Sequence, residues 1–312
     1  MSFTASELTR VDEEASGLND LADAADCDVT IAFDGTVASV RFDDARAAAL
    51  YRSRYRHMLA RGEPALRAYA AARGAVRYFW VPGTAAYRWE RHRLEPYEIA
   101  FLADAVATTH FFTALPKRMV MHAAAVAGDR AAAAIVGTSE AGKTTTALAC
   151  TRVGLRLFSD EFCFVTPAGV IPFPRSLNLR RGGIELLARG ASRDTPLDAW
   201  LQANRGADVQ DVGYDELLGA WEDQAHPVPL RAVFFVTARA AIARAAKASA
   251  AQMLPRVLPW TRMEPQGLEA ARALLELLQR TTCYELTLGT PDDTARLIEE
   301  ALAVALPARA VP

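Results

Sequence analysis

The sequence predicts an α/β protein whose larger part is a mixed sheet around a phosphate-binding loop, preceded by a smaller α+β unit. Three observations carry that expectation. An apolar strand-like run, Ala131 to Val136, feeds directly into Gly137-Thr138-Ser139-Glu140-Ala141-Gly142-Lys143-Thr144, and a helical pattern follows from Thr144 to Val153. A second apolar run, Leu155 to Phe158, ends in Ser159-Asp160-Glu161. Strand-like and helical patterns also alternate along most of the 312 residues, a length that suits one large domain or two ordinary ones.

Residues 1–25 read as a loose acidic arm, and residues 26–116 as the smaller unit. Val29 to Phe33 and Val37 to Phe42 flank Asp34-Gly35-Thr36, and a short loop containing Asp-Gly between two such runs predicts a hairpin. A helix is expected from Asp44 to Arg61, then a polar, alanine-rich segment. Val76 to Val81 and Tyr87 to Glu90 read as strands around Pro82-Gly83. Pro96 to Leu115 has helical spacing in Phe101, Leu102, Val106, Phe111 and Phe112.

Leu115-Pro116-Lys117-Arg118 marks a change, and residues 117–306 are expected to form the second domain. Met119 to Val126 and Ala131 to Val136 predict two strands around the turn Gly128-Asp129-Arg130. After Leu155 to Phe158, a hairpin is expected from Phe162 to Val165 and Val170 to Ile171. Residues 184–225 read as helix and loop. Leu230 to Thr237 predicts a buried strand, Leu268 to Gln279 a helix, Tyr284 to Leu288 a strand and Asp292 to Val304 a closing helix, with 307–312 a frayed tail.

Composition narrows the function classes. Hydrophobic residues make up 51% and charged residues 23%, enough apolar material for a core and too little charge for a disordered chain. Lys and Arg total 35 against 37 Asp and Glu, so no global basic field draws the protein to nucleic acid or to an anionic membrane. Cys27, Cys150, Cys163 and Cys283 have no metal-like spacing and read as buried, reduced thiols. The polar, acidic N-terminus is unlike a signal peptide, and Asp129-Arg130 breaks the most apolar region, Met119 to Val136. The expectation is a soluble, cytoplasmic protein. The basic run Tyr51 to His57 has two readings, the solvated face of a helix or a docking face for an acidic leader peptide.

Gly137 to Thr144 fits G-x-x-x-x-G-K-[ST] in full. The glycines let the backbone turn tightly and approach phosphate without a Cβ in the way. The loop N–H groups and the helix N-terminus form a cradle for anions. Lys143 supplies a point charge for the β- and γ-phosphates, and the Thr144 hydroxyl can ligate Mg²⁺. The expected nucleotide-binding residues are Gly137, Thr138, Ser139, Glu140, Ala141, Gly142, Lys143, Thr144 and Thr145. A phosphoryl-transfer site also needs an acid to hold the metal, and Asp160, 17 residues after Lys143, stands at the end of a predicted strand. The metal-binding candidates are therefore Thr144, Asp160 and Glu161. By chemistry alone, His122 reads either as a satisfied core histidine or as a catalytic one.

Met121-His122-Ala123, the loop Gly137 to Thr144 and Ser159-Asp160-Glu161 stand in an order and spacing that resembles the HPr kinase/phosphorylase superfamily. The chain is most similar to HPr-kinase-like proteins of bacterial biosynthetic clusters, including the kinases of lasso-peptide precursors. ATP-dependent phosphoenolpyruvate carboxykinases share that nucleotide fold. Pro172 to Arg180 looks like the segment that follows the acidic pair, and Thr282 to Leu302 like the closing strand and helix. The resemblance implies a kinase core of HPr-kinase/phosphoenolpyruvate-carboxykinase type, with ATP and Mg²⁺ as cofactors. It implies catalytic roles for His122, Lys143, Asp160, Glu161 and Arg175. One acid of the pair would hold Mg²⁺ and the other accept the proton of the acceptor hydroxyl, and Arg175 would steady the γ-phosphoryl or the acceptor. Glu161 replaces the family's second Asp, and the family's docking signature is reduced to a loose echo in Leu177 to Ile184, so HPr itself is not the expected substrate.

The expected activity is transfer of the γ-phosphoryl of ATP to a hydroxyl, a serine of a peptide or protein such as a biosynthetic precursor peptide. Two alternatives remain: a small-molecule kinase or carboxykinase-like enzyme on the same core, and a nucleotide-binding scaffold or regulator in a biosynthetic assembly. No nucleic-acid or membrane partner is expected, and the oligomeric state, homo-oligomer included, is left open.

Overall fold

In the computed structural model the described residues are 8–11, 18–90, 93–114, 118–190, 195–219, 226–263 and 267–304. Leu115 to Lys117 and the tail 307–312, both assigned from sequence, lie outside them. The chain is mixed α/β with mixed sheets and separates into two compact units, Met1–Pro116 and Lys117–Pro312. No helix among the described residues is long and apolar enough to cross a membrane.

The first unit runs β1 (Thr9–Arg10), α1 (Asn19–Ala24), β2 (Cys27–Phe33), β3 (Thr36–Phe42), α2 (Ala45–Arg54), β4 (Leu66–Arg73), β5 (Val76–Val81), β6 (Ala85–Trp89) and α3 (Pro96–Ala114). Its sheet order is β1-β6-β5-β4-β3-β2. The β2–β3 turn is the expected Asp-Gly hairpin, with Asp34 at φ 48° and Gly35 at φ 75°, the backbone a two-residue primed turn requires. Two expectations are corrected here. Part of the acidic arm belongs to the fold: Thr9 and Arg10 pair with β6, and Leu18, Leu21 and Ala25 pack on Tyr69 and Trp80, because they form one apolar stripe. The alanine-rich segment is the strand β4, parallel to β3; alanine carries little strand propensity, and it is pairing on both edges that makes these residues a strand.

The basic run fits neither of its two readings as a whole. Tyr51, Arg54 and Tyr55 are core residues, and Arg54 Nη1 donates to Asp104 Oδ2 at 3.1 Å. The Tyr55 hydroxyl donates to Asp104 Oδ1 at 2.5 Å. Asp104→Ala should therefore cost about 3–5 kcal/mol by leaving a buried arginine uncompensated. Urea unfolding followed by tryptophan fluorescence measures it; an unchanged midpoint would refute the pair's structural role.

The second unit continues with β7 (Met119–Ala127), β8 (Ala132–Val136), α4 (Lys143–Thr151), β9 (Arg156–Ser159), β10 (Phe162–Thr166), β11 (Gly169–Ile171), β12 (Leu177–Leu179), α5 (Arg181–Ala188), α6 (Pro196–Ala203), β13 (Val209–Val212) and α7 (Tyr214–Leu218). It closes with β14 (Leu230–Arg239), β15 (Arg244–Ala248), α8 (Ala250–Val257), β16 (Thr261–Met263), α9 (Leu268–Arg280), β17 (Thr282–Leu288) and α10 (Pro291–Val304). Among the described residues nine strands join in one sheet of order β11-β10-β7-β8-β14-β17-β15, with β9 and β16 also paired to β7. β8, β14 and β17 are parallel neighbours; β7 and β15 run antiparallel to their partners.

Both faces of this sheet are buried. Ala124, Val126, Ala133 and Ile135 face a core shared with α4, α5, α6, α7 and α10, while Ala123, Ala125, Ala134 and Val136 face α8 and α9. That explains why β7 and β8 read as continuous apolar runs without alternation. Residues 184–225 were read as helix and loop, yet they contain β13, a strand short enough to need its partner β12. Of the cysteines, Cys150, Cys163 and Cys283 are buried free thiols and Cys27 is half-buried.

Candidate active site

The loop follows β8 without a break. Gly137 is buried; Thr138, Ser139 and Glu140 are exposed; Ala141, Gly142, Thr144 and Thr145 are half-buried. Gly142 adopts φ 104°, and a Cβ there would lie 2.6 Å from Arg239 Nη2 and 3.0 Å from Leu288 Cδ1. The positive φ disfavours any side chain at 142, and a Cβ would also have to displace the tip of Arg239. The α4 helix starts at Lys143, so its free N–H groups face the loop. Arg152 clamps the other end of α4. It donates to Asp198 at 2.6 and 3.0 Å, to Asp292 at 3.0 Å and to the Leu187 carbonyl at 2.9 Å.

Lys143 is buried, and its Nζ donates to the Gly137 and Thr138 carbonyls at 3.0 Å each. The ammonium lies folded onto the loop. Burial lowers its pKa, against the opposing pull of Asp160 and Glu161.

β9 pairs with β7 and carries Asp160 to the loop. The Thr144 hydroxyl and the Lys143 and Arg175 charges favour the Asp160 carboxylate. Burial nevertheless pushes the Asp160 carboxyl up to about 6, and Glu161 adds to the rise. Its Oδ1 has no solvent access and no hydrogen-bond partner among the described residues. A carboxylate oxygen in that state is missing a cation or a donor.

Glu161 is more open, with 44% of its side chain exposed, and accepts from Arg175 Nη1 at 2.5 Å. Arg175 reaches it because Phe173 N donates to the Phe158 carbonyl, which lays Pro172 to Ser176 against the end of β9. The Arg175 guanidinium also lies 5.6 Å from the Phe162 ring centroid. His122 on β7 is directly opposite Phe162 on β10. Burial lowers its pKa first, then the Lys143 charge, with Glu161 opposing. The tertiary structure therefore gathers His122, Lys143, Thr144, Asp160, Glu161 and Arg175 around one point. No protein-family model and no curated protein sequence matches this chain.

Among the described residues no cluster of three or more His, Cys, Asp or Glu side chains could hold a metal ion. A hydroxyl and two carboxylates suit a cation such as Mg²⁺, which keeps its waters and takes phosphate oxygens as further ligands. The orphaned Oδ1 of Asp160 beside Thr144 fits it. Three neighbours escaped the sequence reading. Tyr214 is buried with its hydroxyl in the field of Asp160 and Arg175, Arg239 Nη2 donates to the Ala141 carbonyl at 3.1 Å, and Arg180 pairs with Glu140 of the loop. Arg180 ends the run Pro172 to Arg180 that follows the acidic pair, but nothing local marks Tyr214 or Arg239.

Proposed function

We propose that this protein is an ATP- and Mg²⁺-dependent kinase of HPr-kinase-like type that transfers the γ-phosphoryl group to a serine hydroxyl of a peptide or protein in the cytoplasm. The observation that carries the reading is Asp160, beside the threonine that ends the loop motif: a half-buried acid whose carboxyl is pushed up to about 6 and whose Oδ1 has neither solvent access nor a hydrogen-bond partner among the described residues. A carboxyl raised by burial beside specific charged partners marks a functional site more often than a structural surface acid.

The nucleotide's phosphates would take the loop N–H groups, with Lys143 turning from the Gly137 and Thr138 carbonyls onto the β- and γ-oxygens. Thr144 and Asp160 would hold Mg²⁺, which offsets phosphate charge when bound. Glu161, at the open edge, takes the proton of the acceptor hydroxyl as its oxygen bonds to phosphorus and the bond to the ADP oxygen breaks. Arg175 holds Glu161 in position and faces the charge that develops. His122, neutral near pH 7 because its pKa is lowered, supplies one N–H beside the transferring group.

With γ-labelled ATP, Mg²⁺ and a lysate of the source cells, label is expected in a polypeptide. Glu161→Gln should cut that transfer by about 10²–10⁴-fold, the usual contribution of a general base. Label in a metabolite would instead point to a small-molecule or carboxykinase-like enzyme, and no label at all to a nucleotide-binding scaffold.

A further inference from the structure

The strands that carry His122 and Phe162 also build a surface that extends beyond the phosphoryl-transfer residues, and His122 belongs to both. On one side of β7, Phe162 stands opposite His122 and Phe164 opposite Val120. On the other side, Thr261 stands opposite Met121 and Arg262 opposite Val120. Paired residues share a face and faces alternate along a strand. Phe162, His122 and Trp260 therefore line up across three neighbouring segments, with Arg262 one pair further along the same face. Met121 and Cys163, on the opposite face, are in the core.

The contacts agree with the register. The His122 and Trp260 rings are 5.8 Å apart, and Phe173 packs edge-on to Phe162 at 5.9 Å. Phe162, His122 and Trp260 are each half-buried, and Arg262 is exposed. Arg262 makes no ion pair among the described residues, yet its charge is felt at His122. The result is a preformed aromatic surface, joined to Glu161 and Arg175 through Phe162, with the exposed Arg262 at its rim. Phe162 follows Glu161 directly, lies 5.6 Å from the Arg175 guanidinium and is paired with His122, so this surface borders the proposed base and its arginine, on the side an acceptor would approach. Tryptophan and arginine are the side chains that most often anchor a bound polypeptide.

We propose that Phe162, His122, Trp260 and Arg262 form the docking surface for an acidic peptide acceptor. An apolar side chain of the peptide rests on Trp260, and a carboxylate near its serine meets Arg262. The inference rests on the kinase reading above and assigns its substrate class.

The test uses the full chain with Mg²⁺ and a non-hydrolysable ATP analogue. Short fluorescein-labelled peptides carry one central serine flanked by glutamates, by alanines or by lysines, and anisotropy reports binding. The glutamate peptide should bind about tenfold or more tighter than the lysine peptide, as expected for complementary charge at an interface. Arg262→Glu should reverse that order, and because Arg262 is exposed the substitution does not threaten the fold. Trp260→Ala should weaken the binding of all three peptides, with Trp260→Phe restoring part of it. Equal binding of the three peptides, or an order unchanged in Arg262→Glu, would overturn the proposal. Transfer from γ-labelled ATP to the same peptides separates the two readings. Binding that depends on Arg262 but without transfer overturns the kinase and leaves the docking surface. Transfer that ignores Arg262 does the reverse.

Discussion

Asp160→Asn should lose phosphoryl transfer by about a thousandfold or more while the folded protein becomes more stable, two effects that a purely structural acid would not combine. The stability half follows from linkage. The Asp160 carboxyl rises from 3.8 in the unfolded chain to about 6 in the fold. A raised acid destabilises the fold wherever the unfolded state has already released its proton. The penalty is absent below about pH 4, grows between pH 4 and 6 and is complete above 6, reaching up to about 3 kcal/mol. Asparagine keeps the shape without the charge, so its melting temperature should exceed wild type at pH 7 and match it at pH 4. Mg²⁺ with ATP should raise the wild-type melting temperature more than the variant's, since only the wild type offers the orphaned carboxylate oxygen. Transfer by the wild type should also fade as pH falls through 6, when Asp160 takes up a proton and ceases to be a ligand. A variant of unchanged stability and full transfer would sink the assignment.

Lys143→Ala should weaken ATP binding by about a hundredfold or more, because two charge-assisted hydrogen bonds at 1.5–3 kcal/mol each are removed together. The Lys143 ammonium donates to the Gly137 and Thr138 carbonyls at 3.0 Å each. Those contacts must be exchanged for phosphate oxygens, so part of the gain is spent in releasing them. Lys143→Met, which retains the buried stem, should bind as weakly as the alanine variant; that comparison separates lost charge from lost packing. Titration calorimetry with Mg²⁺-ATP measures both. An affinity within about threefold of wild type would mean that the loop does not bind triphosphate through its lysine.

Much of the fold was legible because local signals agreed with tertiary ones. The Asp34-Gly35 hairpin carries its own turn chemistry, and the strand before Gly137 and the helix after it are marked by an unbroken apolar run and by the loop motif between them. Strand β4 was not legible: its alanines show no strand preference and acquire one only between β3 and β5. The Arg54–Asp104 pair was equally hidden. A run of arginines looks like solvent-facing charge until the aspartate 50 residues away in sequence is brought beneath it.

For the site, the sequence by itself determined the loop and the acidic pair, since phosphate chemistry demands particular residue types at fixed local spacing. Only the tertiary structure decided how the two acids differ. Asp160 keeps an oxygen without solvent access or hydrogen-bond partner among the described residues, while Glu161 is more open and paired with Arg175; adjacent residues of similar chemistry are told apart by solvent and neighbours alone. Tyr214, Trp260 and Arg262 likewise come to the site through long-range strand pairing and packing, a register that no short window of sequence contains.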